Sequence, residues 1–201
     1  MAAPLEITIN NLEGTWRMSK SLSYGMDSAL ELQGMPWLLR KAVSFATITG
    51  QLSQKNDDNG VAVIEVAQTA TGGIKGETEV YRLDGSETIQ GSGMFGVQRI
   101  HTRWLDLGGT ENANRAGRLT NIEGNPIDPW LLEGWLREGT TSSPGHINAF
   151  VVNEKAGWTA EQIWGFSEIE GSRRRVTRFL VSKGSRTARI LAVYDWLGNQ
   201  G

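Results

Sequence analysis

The feature that most constrains this chain is the spacing of its turn signals. Asn56-Asp57-Asp58-Asn59-Gly60 separates 47–54 from 61–71, Gly72-Gly73 precedes 74–83, Asp84-Gly85 follows it, and Lys183-Gly184 separates 176–182 from 186–196. Short runs rich in β-branched and aromatic residues, bounded by such clusters, read as strands, and the clusters read as hairpin turns. Further strands are expected at 12–20, 88–90, 94–106, 147–152 and 162–169. No internal repeat and no linker composition divides the chain, so residues 1–201 are expected to form one domain. Closing many antiparallel strands removes sheet edges, and a barrel of this size encloses one small molecule. The expected fold is all-β: a single antiparallel up-and-down β-barrel of about ten strands.

Two stretches break the strand pattern. Ser28 and Glu31 have the spacing of a capping box, Gly34 stands where a helix stops, and Pro36 is placed to open a second helix. In that second helix Leu38, Ala42, Phe45 and Ala46 share one face, with Trp37 beside them. A short helix-turn-helix after the first strand follows. The other break is 108–129, long, polar and rich in Gly, Asn and Thr; a loop of this length in a compact domain usually serves as a lid, a binding loop or a mobile segment. It runs into a short apolar helix over 128–136 with Asp128 as its cap.

Composition excludes several classes. Twenty basic against twenty-two acidic side chains, net −2, leave no concentrated positive face for nucleic acid. Without Cys there is no disulfide framework, thiolate metal site or Cys nucleophile. No stretch approaches the roughly 18–20 apolar residues of a membrane span. The opening residues lack the basic and apolar regions of a secretory signal, so a cytoplasmic location is expected. Gly91-Ser92-Gly93-Met94-Phe95-Gly96 matches the dinucleotide fingerprint, but strand-like alternation follows where a helix N-terminus is needed, so it reads as a turn or bulge. His101 and His146 have no metal-ligand spacing, and no Gly-x-Ser-x-Gly elbow marks a nucleophile. A Ser-His-Asp triad, which has no local signature, stays open on sequence alone. No cofactor and no metal are expected.

Leu12-Glu13-Gly14-Thr15-Trp16 resembles the first strand of the fatty-acid-binding-protein branch of the calycins, whose Gly-x-Trp plugs one barrel end. Leu32-Gln33-Gly34-Met35-Pro36-Trp37-Leu38-Leu39-Arg40-Lys41 resembles that family's portal helices. The likeness is specific over 12–46 and architectural elsewhere, and the whole chain also resembles a group of small fungal lipocalin-like proteins. The resemblance implies a calycin-like barrel with a hydrophobic small molecule inside and Trp16 as a structural plug. Fatty-acid binders hold the ligand carboxylate with an Arg-x-Tyr near the C-terminus. Here Arg189-Ile190-Leu191 keeps the Arg without the Tyr, and Tyr194 has Ala192 at the Arg position. The incomplete clamp points away from an ordinary fatty acid.

Arg189 and Tyr194 sit on one strand with an odd offset, so they face opposite sides unless a bulge intervenes. Tyr194 is the inward candidate, because a neutral hydroxyl avoids the cost of burying Arg. Arg178 and His101 are the reserve catalytic candidates. Arg99, His101 and Arg103 share a face opposite Ile100 and Trp104, and alternation favours that polar face outward. Trp37, Trp164, Phe166, Trp104 and Arg189 are the expected ligand contacts. The run Arg173-Arg174-Arg175 with Arg178 reads as a solvated hairpin with snorkelling arms; the alternative puts one of these Arg inside the barrel to hold an anion or carbonyl.

Two functions remain open. One is a cofactor-free cyclase, pericyclase (Diels–Alderase-like) or isomerase acting on a natural-product intermediate of secondary metabolism, an analogy with lipocalin-like folds that host such chemistry. The other is a non-catalytic carrier of a hydrophobic metabolite; under either, the chain is expected to act as a monomer or homodimer. Holding a flexible polyene in a reactive conformer removes entropy ahead of the barrier, and one donor to a carbonyl stabilises charge in a dry site. A 10⁴-fold acceleration needs only about 5.5 kcal/mol. The broken clamp, the eight Trp and the extra loop at 107–140 favour an elaborate substrate over a fatty acid, and the balance leans to the enzyme.

Overall fold

The computed structural model describes residues 1–107, 119–138 and 145–199. Ten strands appear where the turn signals separate them: β1 Gly14–Met18, β2 Ile48–Asn56, β3 Ala62–Ala70, β4 Ile74–Arg82, β5 Asp84–Ser92, β6 Gly96–Leu105, β7 His146–Asn153, β8 Trp158–Ile169, β9 Ser172–Lys183 and β10 Arg186–Gly198. All pair antiparallel, in the order β4-β3-β2-β1-β10-β9-β8-β7-β6-β5. The first strand closes the barrel by pairing Trp16 with Trp196 of β10 and with Gly50 of β2. The barrel is nearly closed, since β4 and β5 end the ladder order on either side of a seam. There the Gln90 side-chain amide substitutes for a backbone ladder: it accepts from the Val80 N–H at 3.0 Å and donates to the Val80 carbonyl. The Gly91–Gly96 stretch runs from the end of β5 through a turn into β6, with no helix after it.

The helix pair follows β1 as expected, with α1 at Met26–Leu32 and α2 at Trp37–Phe45, but its local chemistry differs from the sequence reading. The cap of α1 is Gly25 at φ 87°, without a side-chain cap, and the Ser28 hydroxyl donates back to the Gly25 carbonyl. Packing is the reason. A Cβ at Gly25 would lie 1.9 Å from the Arg189 carbonyl oxygen, so only glycine lets the helix start dock on β10. The apolar face expected to anchor α2 points outward: Trp37 is 62% and Phe45 81% exposed, and no residue of α2 is buried. The helix meets the barrel interior through Val43.

Trp16 seals the far end. It is fully buried, donates its Nε1–H to the Leu12 carbonyl at 2.9 Å, and packs against Trp196 and Phe166 with ring centroids 4.7 and 6.3 Å away. Ala3, Ile7, Ile9 and Leu12 join the same core. Arg173 pins this segment: its guanidinium lies 3.7 Å over the Phe166 ring and donates to the carbonyls of Ala3, Pro4 and Ile7 and to the Glu138 carboxylate. The arginine run is therefore not a solvated hairpin. Strand alternation sends Arg173 and Arg175 inward, while Arg174 pairs with Asp195 on the outer face.

Residues 119–138 brace the outside of the wall. Ile127 and Leu131 form a second small core with Leu105 of β6 and Ile163 of β8. The expected short helix is a single 3-10 turn, Pro129–Leu132, capped by the Asp128 carboxylate accepting from Trp130 N–H at 2.8 Å. Residues 108–118 of the expected lid lie outside the described residues. Under this brace, His146 at the start of β7 is buried beneath Trp135, ring centroids 5.3 Å apart. It rests on Gly165, where a Cβ would come within 2.6 Å of the His146 ring.

Burial lowers the His146 pKa from 6.5 to about 4, with nearby Asp106 pulling weakly the other way. The unfolded chain therefore holds a proton between those values that the folded chain does not, so stability rises with pH across the window and is lost as pH falls through it. This single group contributes up to roughly 3 kcal/mol. Denaturant titrations are expected to show native protein losing stability more steeply than His146→Phe from neutral pH to the bottom of that window. Parallel losses would remove His146 from the account.

Candidate functional site

The barrel encloses a cavity of about 570 Å³, walled largely by apolar side chains such as Met18, Leu52, Val66, Phe179, Val181 and Ile190. Small-molecule pockets typically span roughly 300–1,000 Å³. Alternation decides what faces it: Gln162 and Trp164 on β8, Arg175 and Thr177 on β9, and Tyr194 on β10. Arg175 and Tyr194 are register partners across β9 and β10, so one strand pair delivers both.

Arg175 dominates the electrostatics. It is 4% exposed, and its guanidinium lies over three aromatic rings: Tyr194 at 4.3 Å, Trp164 at 5.3 Å and Trp16 at 5.5 Å. Among the described residues no carboxylate pairs with it, and its Nε has no hydrogen-bond partner. Burial pulls its pKa down, yet a guanidinium stays charged in proteins. The ring faces supply quadrupolar attraction in place of a counter-ion. Burial also raises the Tyr194 phenol, which keeps it a neutral donor. Next to this pair, Trp164 donates its Nε1–H to Gln162 Oε1 at 3.0 Å. The Tyr81 ring sets its edge against Trp164 at 4.7 Å, and its hydroxyl donates to Glu79 Oε2 at 2.8 Å. Burial pushes the Glu79 carboxyl above its ordinary range, with hydrogen bonds from Tyr81 and Gln68 opposing. The chamber is largely apolar, with Arg175, Tyr194, Gln162, Tyr81 and Glu79 linked through Trp164 in one part of its wall and further polar side chains, among them Lys75, Glu77 and Gln98, elsewhere in it.

The residues singled out in the sequence scatter around this chamber. Tyr194 and Trp164 line it together, joined through Arg175. Phe166 is inward on β8 but sits at the sealed end, between Trp16 and Arg173. Trp104 packs half-buried into the main core on the inward side of β6. Trp37 is exposed on α2. Arg178 faces outward, lying over Trp130 at 4.9 Å and Trp135 at 5.7 Å and donating to the Trp130 carbonyl. Arg189 also faces outward, where it meets the Asp128 carboxylate at 3.2 Å. His101 lies outside on β6, with Nδ1 3.2 Å from the Gly85 carbonyl and Nε2 3.4 Å from Glu87.

Sequence reasoning missed Glu79 and Tyr81, and gave Arg175 only as one member of a charged run. The signal for Arg175 was faint: Thr177, Phe179 and Val181 follow it at steps of two, but Val176 and Leu180 make the opposite face of the strand apolar as well. Among the described residues no group of three or more His, Asp or Glu has the geometry to hold a metal, and no helix is long and apolar enough to cross a membrane.

No family model matches the chain. Pericyclase pydY of Acremonium sp is 29% identical over 199 residues, covering 98% of this chain and 98% of that protein. Probable pericyclase scpY of Mollisia scopiformis is 27% identical over 200 residues, covering 99% of this chain and 96% of the relative. Among solved structures, fatty-acid-binding protein 1 of Echinococcus granulosus matches with a TM-score of 0.55 at 12% identity, over 92% of this chain and 97% of that one. The structural likeness shows the fold, a calycin-like β-barrel similar to that of the fatty-acid-binding proteins, as the 12–46 motifs implied.

Proposed function

We propose that this chain is a cofactor-independent pericyclase that folds a hydrophobic natural-product intermediate inside the barrel and closes its rings without changing its composition. The observation that carries the proposal is the largely apolar cavity inside the barrel, with Arg175 and Tyr194 side by side in its wall. An unsaturated chain packs against the Met, Leu, Val and Ile wall, and a carbonyl on the reacting system meets the guanidinium and the phenol. Confinement removes conformational freedom before the barrier. Preorganised donors aimed at developing negative charge are worth about 2.7–4 kcal/mol each in a dry site. Both relatives named as pericyclases align over essentially their whole length, which supports the same chemistry here.

The fold likeness to a fatty-acid-binding protein favours a second reading, that of a carrier. The two differ in a simple product: a carrier returns its ligand unchanged, whereas a pericyclase returns an isomer. Deleting the gene in the producing organism is expected to cause accumulation of a less cyclised compound of identical mass. An unchanged metabolite profile would argue for the carrier.

Tyr194→Phe tests the donors in the wall with little disturbance, since it removes a hydroxyl without leaving a void. Turnover is expected to fall about a hundredfold, the equivalent of ~2.7 kcal/mol, at an unaltered melting temperature. Native turnover in the variant would take Tyr194 out of the site.

A further inference from the structure

The pericyclase reading leaves the more buried of the two carboxyls in the cavity wall without a task. Glu79 lines the cavity from β4, together with Tyr81. Only Oε2 receives the Tyr81 hydroxyl, at 2.8 Å. A carboxylate accepts at about four lone-pair sites, so Glu79 has capacity left for a ligand even with Gln68 beside it. A continuous set of contacts leads from there to the cation. Tyr81 packs its edge on Trp164 at 4.7 Å, and Arg175 lies over the same Trp164 at 5.3 Å. A carboxyl group and a guanidinium thus face one enclosed volume with aromatic rings between them, and Arg175 forms no ion pair with Glu79 or with any other described carboxylate. Burying either charge is costly, and a merely apolar ring-closing chamber needs no carboxyl.

We propose that Glu79 is a proton-transferring base and that the cavity enolises its substrate, a carbonyl compound with an acidic α C–H of the 1,3-dicarbonyl or β-ketoamide class. This rests on the pericyclase reading for the cavity being a reaction chamber. The Glu79 carboxylate takes the α-proton. The C–H electron pair becomes the enolate C=C bond, and the carbonyl π pair moves onto oxygen, where Arg175 and Tyr194 hold it. Glu79, now a carboxylic acid, returns the proton to that oxygen and is a carboxylate again. The net change is keto to enol, with nothing oxidised or reduced.

The surroundings suit the task. The polar groups that share the cavity wall with Glu79 include Lys75, Glu77 and Tyr81 from β4, Gln68 from β3, Gln90 from β5, Gln98 from β6, Arg175 from β9 and Tyr194 from β10; Lys75 and Glu77 are its charged neighbours along β4. Burial raises its carboxyl above the ordinary carboxylate range, the direction that makes its carboxylate a stronger base.

The test uses tetradecane-2,4-dione, a long-chain 1,3-diketone whose enol absorbs in the ultraviolet. Its relaxation between enol and keto forms is timed with native protein, Glu79→Gln, Glu79→Asp and Arg175→Met, and binding is measured separately by tryptophan quenching. Native protein is expected to accelerate relaxation about a hundredfold, the usual scale of general acid–base catalysis. Glu79→Gln should lose at least about tenfold of that rate while binding the probe with a similar Kd, and Glu79→Asp should recover part of it. The native rate should fall as pH drops through a midpoint above the ordinary carboxylate range, and the Glu79→Gln rate should be flat. Native binding without acceleration, or a Glu79→Gln variant as fast as native, would overturn the proposal and leave the pericyclase reading standing. No binding of the probe at all would count against both.

Discussion

Arg175→Met is expected to leave a folded barrel, as stable as the native one or slightly more so, and to slow ring closure about 10²–10³-fold, the loss seen when a preorganised oxyanion donor is removed. The two effects have one cause. Arg175 is a buried cation whose described contacts are ring faces, with no ion pair and an unpartnered Nε. A fold pays to bury such a charge, and an apolar side chain of similar length removes that cost while keeping the contacts with Trp16, Trp164 and Tyr194. A group that is unfavourable for folding and persists at a cavity wall is placed for ligand chemistry. Thermal melting and single-turnover rates on the same preparation check both halves. A variant that melts much lower and turns over normally would show that Arg175 is a structural residue.

Trp16→Ala is the change with the largest expected effect on stability. Truncating a buried aromatic costs about 3–5 kcal/mol, and for a chain of this size each kcal/mol shifts the melting temperature by roughly 2–4 °C. The structural reasons are specific. Trp16 is fully buried where β1 closes the barrel, it contacts Trp196, Phe166 and the Arg175 guanidinium, and its indole N–H is satisfied by Leu12. The void would open into the ligand chamber, because Trp16 forms part of both the core and the cavity wall. A variant melting within a few degrees of native, measured calorimetrically, would show that the barrel is closed by other contacts.

How much of this was legible in the sequence depends on whether a strand has one wet face. On β6, Arg99 and His101 alternate with Ile100 and Thr102, and the outward assignment of the charged set follows directly, because that face borders solvent. On β10, the odd offset between Arg189 and Tyr194 separates them correctly onto the outer and inner faces. On β9 the same logic stalls. Val176 and Leu180 are apolar on the outer face, because the 119–138 brace covers that side of the wall together with Leu22, so both faces of the strand carry apolar residues and alternation fades. The position of Arg175 among four nearby arginines was hidden for that reason. Glu79 was missed for the opposite reason. The cavity-lining face of β4 carries Lys75 and Glu77, which are exposed, ahead of the half-buried Glu79, so the run reads as a solvent face.

The helix pair shows a different limit. Its position after β1 was readable, because Gly34 and Pro36 punctuate it clearly. Its orientation was not. An apolar helical face at Leu38 and Phe45 normally packs inward, but here both side chains are exposed and Val43 reaches the cavity. Likewise, the capping spacing of Ser28 and Glu31 was real in sequence but yielded to the close approach of Gly25 to β10.

The most direct test of the account is turnover by purified protein of the less cyclised compound that accumulates when its gene is deleted. Chromatography with mass detection follows the reaction in native protein and in Arg175→Met. The account predicts conversion to a single product of unchanged mass and altered retention, well above the spontaneous rate in native protein and close to it in Arg175→Met. Recovery of the compound bound but unchanged by native protein would contradict it.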